Sequence, residues 1–87
     1  MPATNTVKTR REGLLLTREQ ASTGSGISYP HYTRIERHLV PLTLPVARRL
    51  GELLGLDPEE LFAAHAAERA AVRRQIVARA TAAGAAR

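Results

Sequence analysis

The stretch TREQASTGSGISYPHYTRIE, residues 17–36, decides how this chain folds. Thr17 and Gln20 have the spacing of a capping box, in which each side chain bonds the backbone N–H of the other, so we expect a helix to begin at Arg18. Gly26 ends that helix, because glycine readily takes the left-handed conformation that closes a helix. The pattern predicts a short helix followed at once by a tight turn.

A second helix begins inside the same stretch. Ser28 can cap it, which makes Tyr29 and Pro30 its first two helical residues. A proline is tolerated there, since the amides of the first turn have no intrahelical acceptor. The apolar residues that recur at helical spacing, and that we expect in the core, are Tyr32, Ile35 and Leu39.

Three further helices flank this pair. A first helix is expected over residues 6–14, and a fourth between the cap Thr43 and the stop signal Gly55. A long fifth helix is expected over residues 58–83. Its start, Asp57-Pro58-Glu59-Glu60, combines a cap, a proline and two acids, and the residues after Phe62 are about half alanine. The sequence therefore predicts an all-α fold of five helices.

The amino-acid composition limits the classes of protein to which this chain can belong. The chain of 87 residues has no cysteine, which excludes a disulfide framework and a thiolate metal site. No apolar run approaches the roughly 20 residues that cross a bilayer, and the N-terminal residues lack the apolar core of a signal peptide. We expect an intracellular protein in a bacterial cytoplasm. The net charge of +5 favours a polyanionic partner such as nucleic acid, with a generally basic, solvated surface as the alternative.

No catalytic or metal-binding group stands out. His31, His38 and His65 do not have metal-ligand spacing, and no carboxylate cluster joins them. No serine has a histidine and an acid disposed to activate it, and there is no glycine-rich phosphate loop. We therefore expect no enzyme activity, no metal and no cofactor.

The two helices of the opening stretch form a helix-turn-helix, a unit whose second helix lies in the major groove of DNA. Tyr29, Pro30, His31 and Arg34 fall off the apolar stripe, on the outward face of that helix. Arg34 can donate two hydrogen bonds to O6 and N7 of guanine, a contact worth ~1–3 kcal/mol of discrimination. The alternative is a solvated face in a protein that has exchanged DNA for a protein partner.

The same stretch resembles the Cro-type, lambda-repressor-like helix-turn-helix family. The matching residues, all in register, are Thr17, Gly26, Ile27, Ser28, Arg34, Ile35 and Glu36. Arg11 stands where the family has an arginine in its first helix, and residues 54–62 resemble the closing segment of the family. The resemblance covers about residues 5–62 and implies a lambda-repressor-like fold of five helices.

The resemblance also implies roles for individual residues. Arg11 and Glu36 would form a buried ion pair that ties the first helix to the third. The residues expected to contact DNA are Arg18, Ser28, Tyr29, Pro30, His31, Thr33, Arg34, Arg37 and His38. Within this set, Arg18 would contact a phosphate, and Arg37 and His38 would lie near the DNA backbone. The positions that face the bases are those of Tyr29, Pro30, Thr33 and Arg34.

Three residues depart from the family pattern. Ala21 replaces a core leucine, Leu15 replaces a glycine before the second helix, and His38 replaces the glycine that closes the third. The left-handed turn at His38 is therefore expected to be strained or absent. Tyr32 is expected to fill part of the space that Ala21 leaves.

The fifth helix has three candidate uses. Leu61 and Phe62 are expected in the core, and the candidate interface residues along one line of the helix are Leu61, His65, Val72 and Ile76. The helix could pair with its copy in a homodimer or bind a different protein. It could also extend into solvent, where Arg69, Arg73, Arg74 and Arg79 would add affinity for phosphate. The apolar line is too short for a coiled coil.

These observations predict a DNA-binding domain over residues 1–62 and a basic, alanine-rich helical tail over residues 63–87. The expected function is that of a transcriptional regulator that binds an inverted repeat in double-stranded DNA as a homodimer, without a membrane partner. A small adaptor or antitoxin-like protein, whose last helix binds a protein partner, is the main alternative, and a non-specific nucleoid-type binder ranks third.

Overall fold

The structure, a computed structural model, describes residues 5–85, and within them the chain forms five α-helices and no strand. The helices are α1 (Thr6–Gly13), α2 (Arg18–Ser25), α3 (Tyr29–Glu36), α4 (Leu44–Leu54) and α5 (Pro58–Ala85). This is the all-α arrangement of five helices with a long C-terminal helix that the sequence predicts.

Side-chain caps begin most of these helices. Thr17 and Gln20 form the predicted capping box before α2, with hydrogen bonds of 3.1 and 2.8 Å. Ser28 caps α3, and the Asp57 carboxylate accepts from the N–H of Glu60 at 3.0 Å at the start of α5. The predicted cap Thr43 makes no side-chain cap bond. Helix α4 therefore begins without a side-chain cap bond, with Pro45 as its second residue.

Four chain reversals each place one residue in the left-handed conformation. These residues are Leu15, Gly26, His38 and Gly55, with φ of 59°, 70°, 61° and 69°. After α1, the N–H groups of Leu15 and Leu16 donate to the carbonyls of Glu12 and Arg11, the two bonds that define a Schellman motif. The predicted turn at His38 is present, and because His38 carries a Cβ it is strained.

Two residues that the sequence predicts in the core, Leu39 and Phe62, are exposed in the structure. Leu39 is 64% exposed, because α3 ends at Glu36 and the chain reverses at His38; Leu42 in the connector is buried instead. Phe62 is 41% exposed. Adjacent residues on a helix point about 100° apart, so Leu61, which is buried, leaves Phe62 facing outward.

Ala21 and Tyr32 are fully buried in one core cluster, where Tyr32 adds volume that alanine lacks. Among the described residues, the Tyr32 hydroxyl has no hydrogen-bond partner. Burial raises the pKa of that hydroxyl far above its ordinary value, so it stays protonated.

Helix α5 is longer than the body on which it packs. The longest dimension is 48 Å against 23 and 21 Å, and the radius of gyration is 14.4 Å, where a compact domain of this length has about 12 Å. Buried residues continue along α5 to Glu68, and residues 73–82 are exposed. The helix crosses the predicted division between residues 62 and 63 without a break, so this division stays a prediction.

Candidate nucleic-acid interface

The turn between α2 and α3 is fixed by small polar side chains. The Ser22 hydroxyl donates to the Ile27 carbonyl at 2.5 Å, and the N–H of Ile27 donates back to the Ser22 carbonyl at 3.1 Å. The Ser25 hydroxyl donates to the Ala21 carbonyl at 2.7 Å. Both serines are buried, so a helix that is poor in large apolar side chains is held by hydrogen bonds to its own backbone. The two Ser22–Ile27 bonds fix the turn that leads into α3, and the Ser25 bond lies within α2.

Helix α3 carries most of the predicted DNA-contacting residues on its surface. Tyr29 is 43% exposed, and Pro30, Arg34 and Arg37 are exposed as well. Because the backbone that bears them is capped and tied to α2, the Arg34 guanidinium is available for a planar, two-bonded partner such as a guanine edge.

Two small polar side chains at the start and middle of α3 make hydrogen bonds to the backbone of the same helix. The Ser28 oxygen accepts from the N–H of His31 at 3.4 Å, and the Thr33 hydroxyl donates to the Tyr29 carbonyl at 2.9 Å. His31 and Thr33 are half-buried. The Thr33 hydroxyl still has acceptor capacity, and its methyl group can make apolar contact.

A buried carboxylate, Glu36, ties α3 to the two preceding helices. Arg11 donates to both of its oxygens at 3.0 Å, and Arg18 donates to one of them at 3.2 Å. Arg11 also donates to the Leu16 carbonyl at 2.9 Å. Burial alone would raise the pKa of the Glu36 carboxyl. The hydrogen bonds and charges of the groups around it, Arg11 first among them, together outweigh burial, and the pKa lies below its ordinary value. The ion pair implied by the family resemblance is therefore present.

Arg18, which is predicted to contact a phosphate, also makes a hydrogen bond to Glu36 that the sequence did not predict. Its Nε atom is directed at Glu36, while 41% of its side chain remains exposed. A phosphate contact by Arg18 stays a prediction. Any such contact would use the terminal nitrogens, with Nε anchoring the group to Glu36.

The prediction that His38 contacts DNA is wrong. The left-handed backbone at His38 turns its side chain into the protein, where the ring is buried. Its Nε2 lies 2.9 Å from a carboxylate oxygen of Glu68 and donates to it, since a carboxylate can only accept. The ring also stacks on His65, with 5.0 Å between the centroids.

Residues 7–61, well over half of the chain, match the family model described as helix-turn-helix. The chain belongs to the lambda-repressor-like helix-turn-helix family. No curated protein and no solved structure shows a significant match to it.

In this helix-turn-helix protein, the first turns of α5 build the core, so the prediction that Leu61 and His65 lie at an interface is wrong. Both side chains are about 1% exposed, and His65 Nε2 donates to the Ile35 carbonyl at 2.8 Å. Burial lowers the pKa of His65 below its ordinary value. Of the four candidate interface residues, Ile76 is exposed and Val72 is half-buried.

Sequence reasoning missed the role of Glu68. Its carboxylate accepts from the backbone N–H of Thr6 at 3.2 Å and from the Thr6 hydroxyl, as well as from His38. It thereby ties α5 to the start of α1 and to the end of α3. The signal was available, because Leu61, His65 and Glu68 share one line of α5, but a line of residues does not reveal which side of the helix faces the core.

Over residues 5–85, no three histidine, aspartate or glutamate side chains come together as metal ligands do. Nor does any helix of the described part combine the length and apolar character needed to span a bilayer.

Proposed function

We propose that this helix-turn-helix protein is a transcriptional regulator that binds a specific sequence in double-stranded DNA, as a homodimer on an inverted repeat. The observation that carries the proposal is the exposed face of α3 that bears Arg34. It is joined to α2 by the hydrogen bond from Arg18 to Glu36 and by the Ser22–Ile27 bond in the turn. Bacterial DNA as the partner would put the protein in the cytoplasm. In a homodimer, the half-sites would lie about 34–36 Å apart, one helical turn of DNA.

The proposed contacts divide into two kinds. Base contacts come from Tyr29, Pro30, Thr33 and Arg34 at the start of α3, and Arg34 reads a guanine. Backbone contacts come from Arg18, Ser28, His31 and Arg37. Contacts of the first kind specify the sequence, and those of the second kind position the protein on any DNA.

Selection from a pool of randomised DNA duplexes tests the proposal. The purified protein is used at about 150 mM salt, where non-specific phosphate binding is already weak. An enriched motif with two-fold symmetry supports both specific recognition and use as a dimer. An enriched motif without symmetry removes the homodimer and keeps the regulator, and no enrichment refutes specific recognition.

Replacing Arg34 tests the assignment of its role. Arg34→Ala should relax the preference at one base pair per half-site, at a cost of ~1–3 kcal/mol. Arg34→Lys is the matched control, because lysine keeps the charge but cannot make the paired bonds of a guanidinium, so it should lose the preference as well. Arg18→Ala should weaken binding to all sequences alike. If Arg34→Ala also weakened all sequences equally, Arg34 would be a phosphate contact.

An adaptor or antitoxin-like protein remains the second candidate, because an exposed apolar groove lies beside α5. In that case Arg34→Ala would leave the activity of the protein unchanged, whereas Ile76→Asp in the exposed part of α5 would abolish partner binding. A DNA-binding dimer is expected to respond to both changes.

A further inference from the structure

An apolar groove runs along α5, between this helix and the connector residues Pro41 and Leu42. Its volume is about 720 Å³, and pockets that bind small molecules usually have volumes of about 300–1,000 Å³. Phe62 at one end and Val77 at the other are 41% and 57% exposed, although both are large apolar side chains. This surface, which we call the α5 groove, therefore has the size and the apolar walls of a ligand site.

Two neighbouring rows of α5 residues, each at four-residue spacing, line the α5 groove. One row is Phe62, Ala66 and Ala70, and the other is Arg69, Arg73 and Val77. Alanine has the smallest apolar side chain, so the first row leaves room beside the helix for an apolar group. The second row places guanidinium groups next to that room. The α5 groove thus combines an apolar channel with positive charge along one side.

The positive charge of the α5 groove has no negative partner. Arg69, Arg73 and Arg74 line it, and no acidic residue does. Within residues 5–85, none of these arginines forms an ion pair. The preceding acid, Glu68, has its carboxylate bound to the start of α1 and to the turn after α3, and the chain has no acidic residue after it. A counter-charge for this groove has to come from another molecule.

The arrangement of two arginines shows where that counter-charge fits. The Nε atom of Arg69 is buried and, among the described residues, has no hydrogen-bond partner, whereas buried polar atoms nearly always have one. Arg73 lies one turn further along the same row, and like charges at this spacing repel each other. A carboxylate between the two guanidinium groups would supply both the missing charge and a pair of charge-assisted hydrogen bonds.

From the apolar channel and the unpaired arginines beside it, we propose that the α5 groove binds a small amphipathic carboxylate of the fatty-acid class. The carboxylate lies at Arg69 and Arg73, and the apolar tail runs over Ala66 and Ala70 towards Phe62. Eleven residues line the groove, whereas a stable protein–protein interface has roughly 20–30 residues a side, which favours a small molecule. A carboxylate carries one charge to desolvate, and a phosphate carries nearly two. The site goes beyond the proposed DNA binding and does not depend on it.

Calorimetric titration of the full-length protein with decanoate, below the concentration at which decanoate forms micelles, tests the proposal. One decanoate should bind per chain, and the Tm should rise with its concentration, because a ligand of the folded state stabilises it. Decanol has the same tail without the charge and should bind roughly tenfold more weakly or worse. Equal binding of decanol would overturn the assignment of an anionic ligand. A Tm that falls with decanoate would show binding to the unfolded chain and overturn the site.

Two pairs of variants locate the bound decanoate. Arg73→Gln should weaken binding roughly tenfold, whereas Arg79→Gln removes the same charge from an exposed residue of α5 outside the groove and should leave binding unchanged. Ala70→Leu fills the channel and should weaken binding, whereas Ala67→Leu, also exposed but outside the groove, should not. Circular dichroism checks that all four variants fold. Equal losses within either pair would indicate non-specific attraction to the helix and overturn the proposal.

Absence of decanoate binding to the folded wild-type protein overturns the proposal and leaves the α5 groove to a macromolecule. A sedimentation coefficient that rises with protein concentration would then indicate a second copy of the chain, and a constant one would indicate a different protein. The titration and the DNA selection fail independently, because Arg73 carries the first and Arg34 the second. Decanoate binding without an enriched DNA motif would retain the groove site alone, and the reverse result would retain the regulator alone.

Discussion

Leu15 and His38 share a left-handed backbone that side chains with a Cβ rarely adopt, yet their surroundings differ. The strain amounts to roughly 1–2 kcal/mol for such a residue. At His38 the inward side chain gains a buried hydrogen bond to Glu68 and a stack on His65. At Leu15 the side chain is 89% exposed and gains nothing comparable. The turn after α1 is therefore strained without compensation.

Leu15→Gly should stabilise the protein. Glycine removes the backbone strain. Its greater freedom in the unfolded chain cancels roughly 0.5–1 kcal/mol of that gain. We expect a net increase of up to about 1 kcal/mol in the free energy of unfolding, and a rise in Tm of several degrees for a domain of this size. Thermal unfolding followed by circular dichroism measures it.

The matched control is His38→Gly, which relieves the same kind of strain but deletes the buried imidazole. It leaves the Glu68 carboxylate with one donor fewer in a buried site, so the Tm should fall. If both glycine variants shifted the Tm in the same direction, the buried contact of His38 would not be what distinguishes the two turns.

At the scale of elements, signals within a few residues of each other predicted where helices start, and packing determined which side of each helix is inside. The caps Thr17, Ser28 and Asp57 could be identified because a cap acts on the next three residues. Leu39 and Phe62 could not be placed from the sequence. The exposure of Leu39 depends on where α3 ends, and that of Phe62 on the side of α5 that meets α4. The burial of His38 follows from a backbone angle that its residue type disfavours.

The junction of α4 and α5 depends on a close approach at Gly51. A Cβ built on Gly51 would lie 2.6 Å from the backbone oxygen of Leu56, which cannot move without shifting the start of α5. Gly51→Ala should therefore lower the free energy of unfolding by about 1–3 kcal/mol, measured by urea unfolding.

Gly13 offers the control for this substitution, since a Cβ there would meet nothing within 4 Å. Gly13→Ala should be neutral, or stabilising by up to about 1 kcal/mol, because alanine favours the helix. Equal losses in both alanine variants would show that helix-end effects, rather than the contact with Leu56, govern these positions.

At the scale of the whole molecule, two buried titratable groups join distant parts of the chain. Glu36 connects α1, α2 and α3, and His65 on α5 holds the carbonyl of Ile35 in α3. The fold is thus held at its centre by groups whose charge states depend on pH. Since these contacts orient α3, a low pH that weakens them should also disturb the position of α3 and reduce the proposed DNA binding.

Acidification should destabilise the folded protein in two steps. The pKa of His65 is lowered by burial, and that of Glu36 is lowered by its arginine hydrogen bonds against the effect of burial. In both cases the unfolded chain binds a proton more readily than the folded one, so stability falls as pH falls. The contribution of His65 is complete above its ordinary value of 6.5 and is lost as the pH drops through its lower folded-state pKa. The contribution of Glu36 is complete above 4.5 and is lost in the same way below it.

Urea unfolding at a series of pH values between 7.5 and 3 separates the two steps. His65→Gln keeps a donor for the Ile35 carbonyl but does not titrate, so the decline that begins near pH 6.5 should flatten, while the decline below pH 4.5 persists. Glu36→Gln should do the opposite, in a protein that is less stable throughout because Arg11 loses its charged partner. If the wild-type protein kept constant stability from pH 7 to 5, the folded protein would have to accept a proton on His65 as readily as the unfolded chain does. That result would contradict the assignment of a lowered pKa to the buried ring.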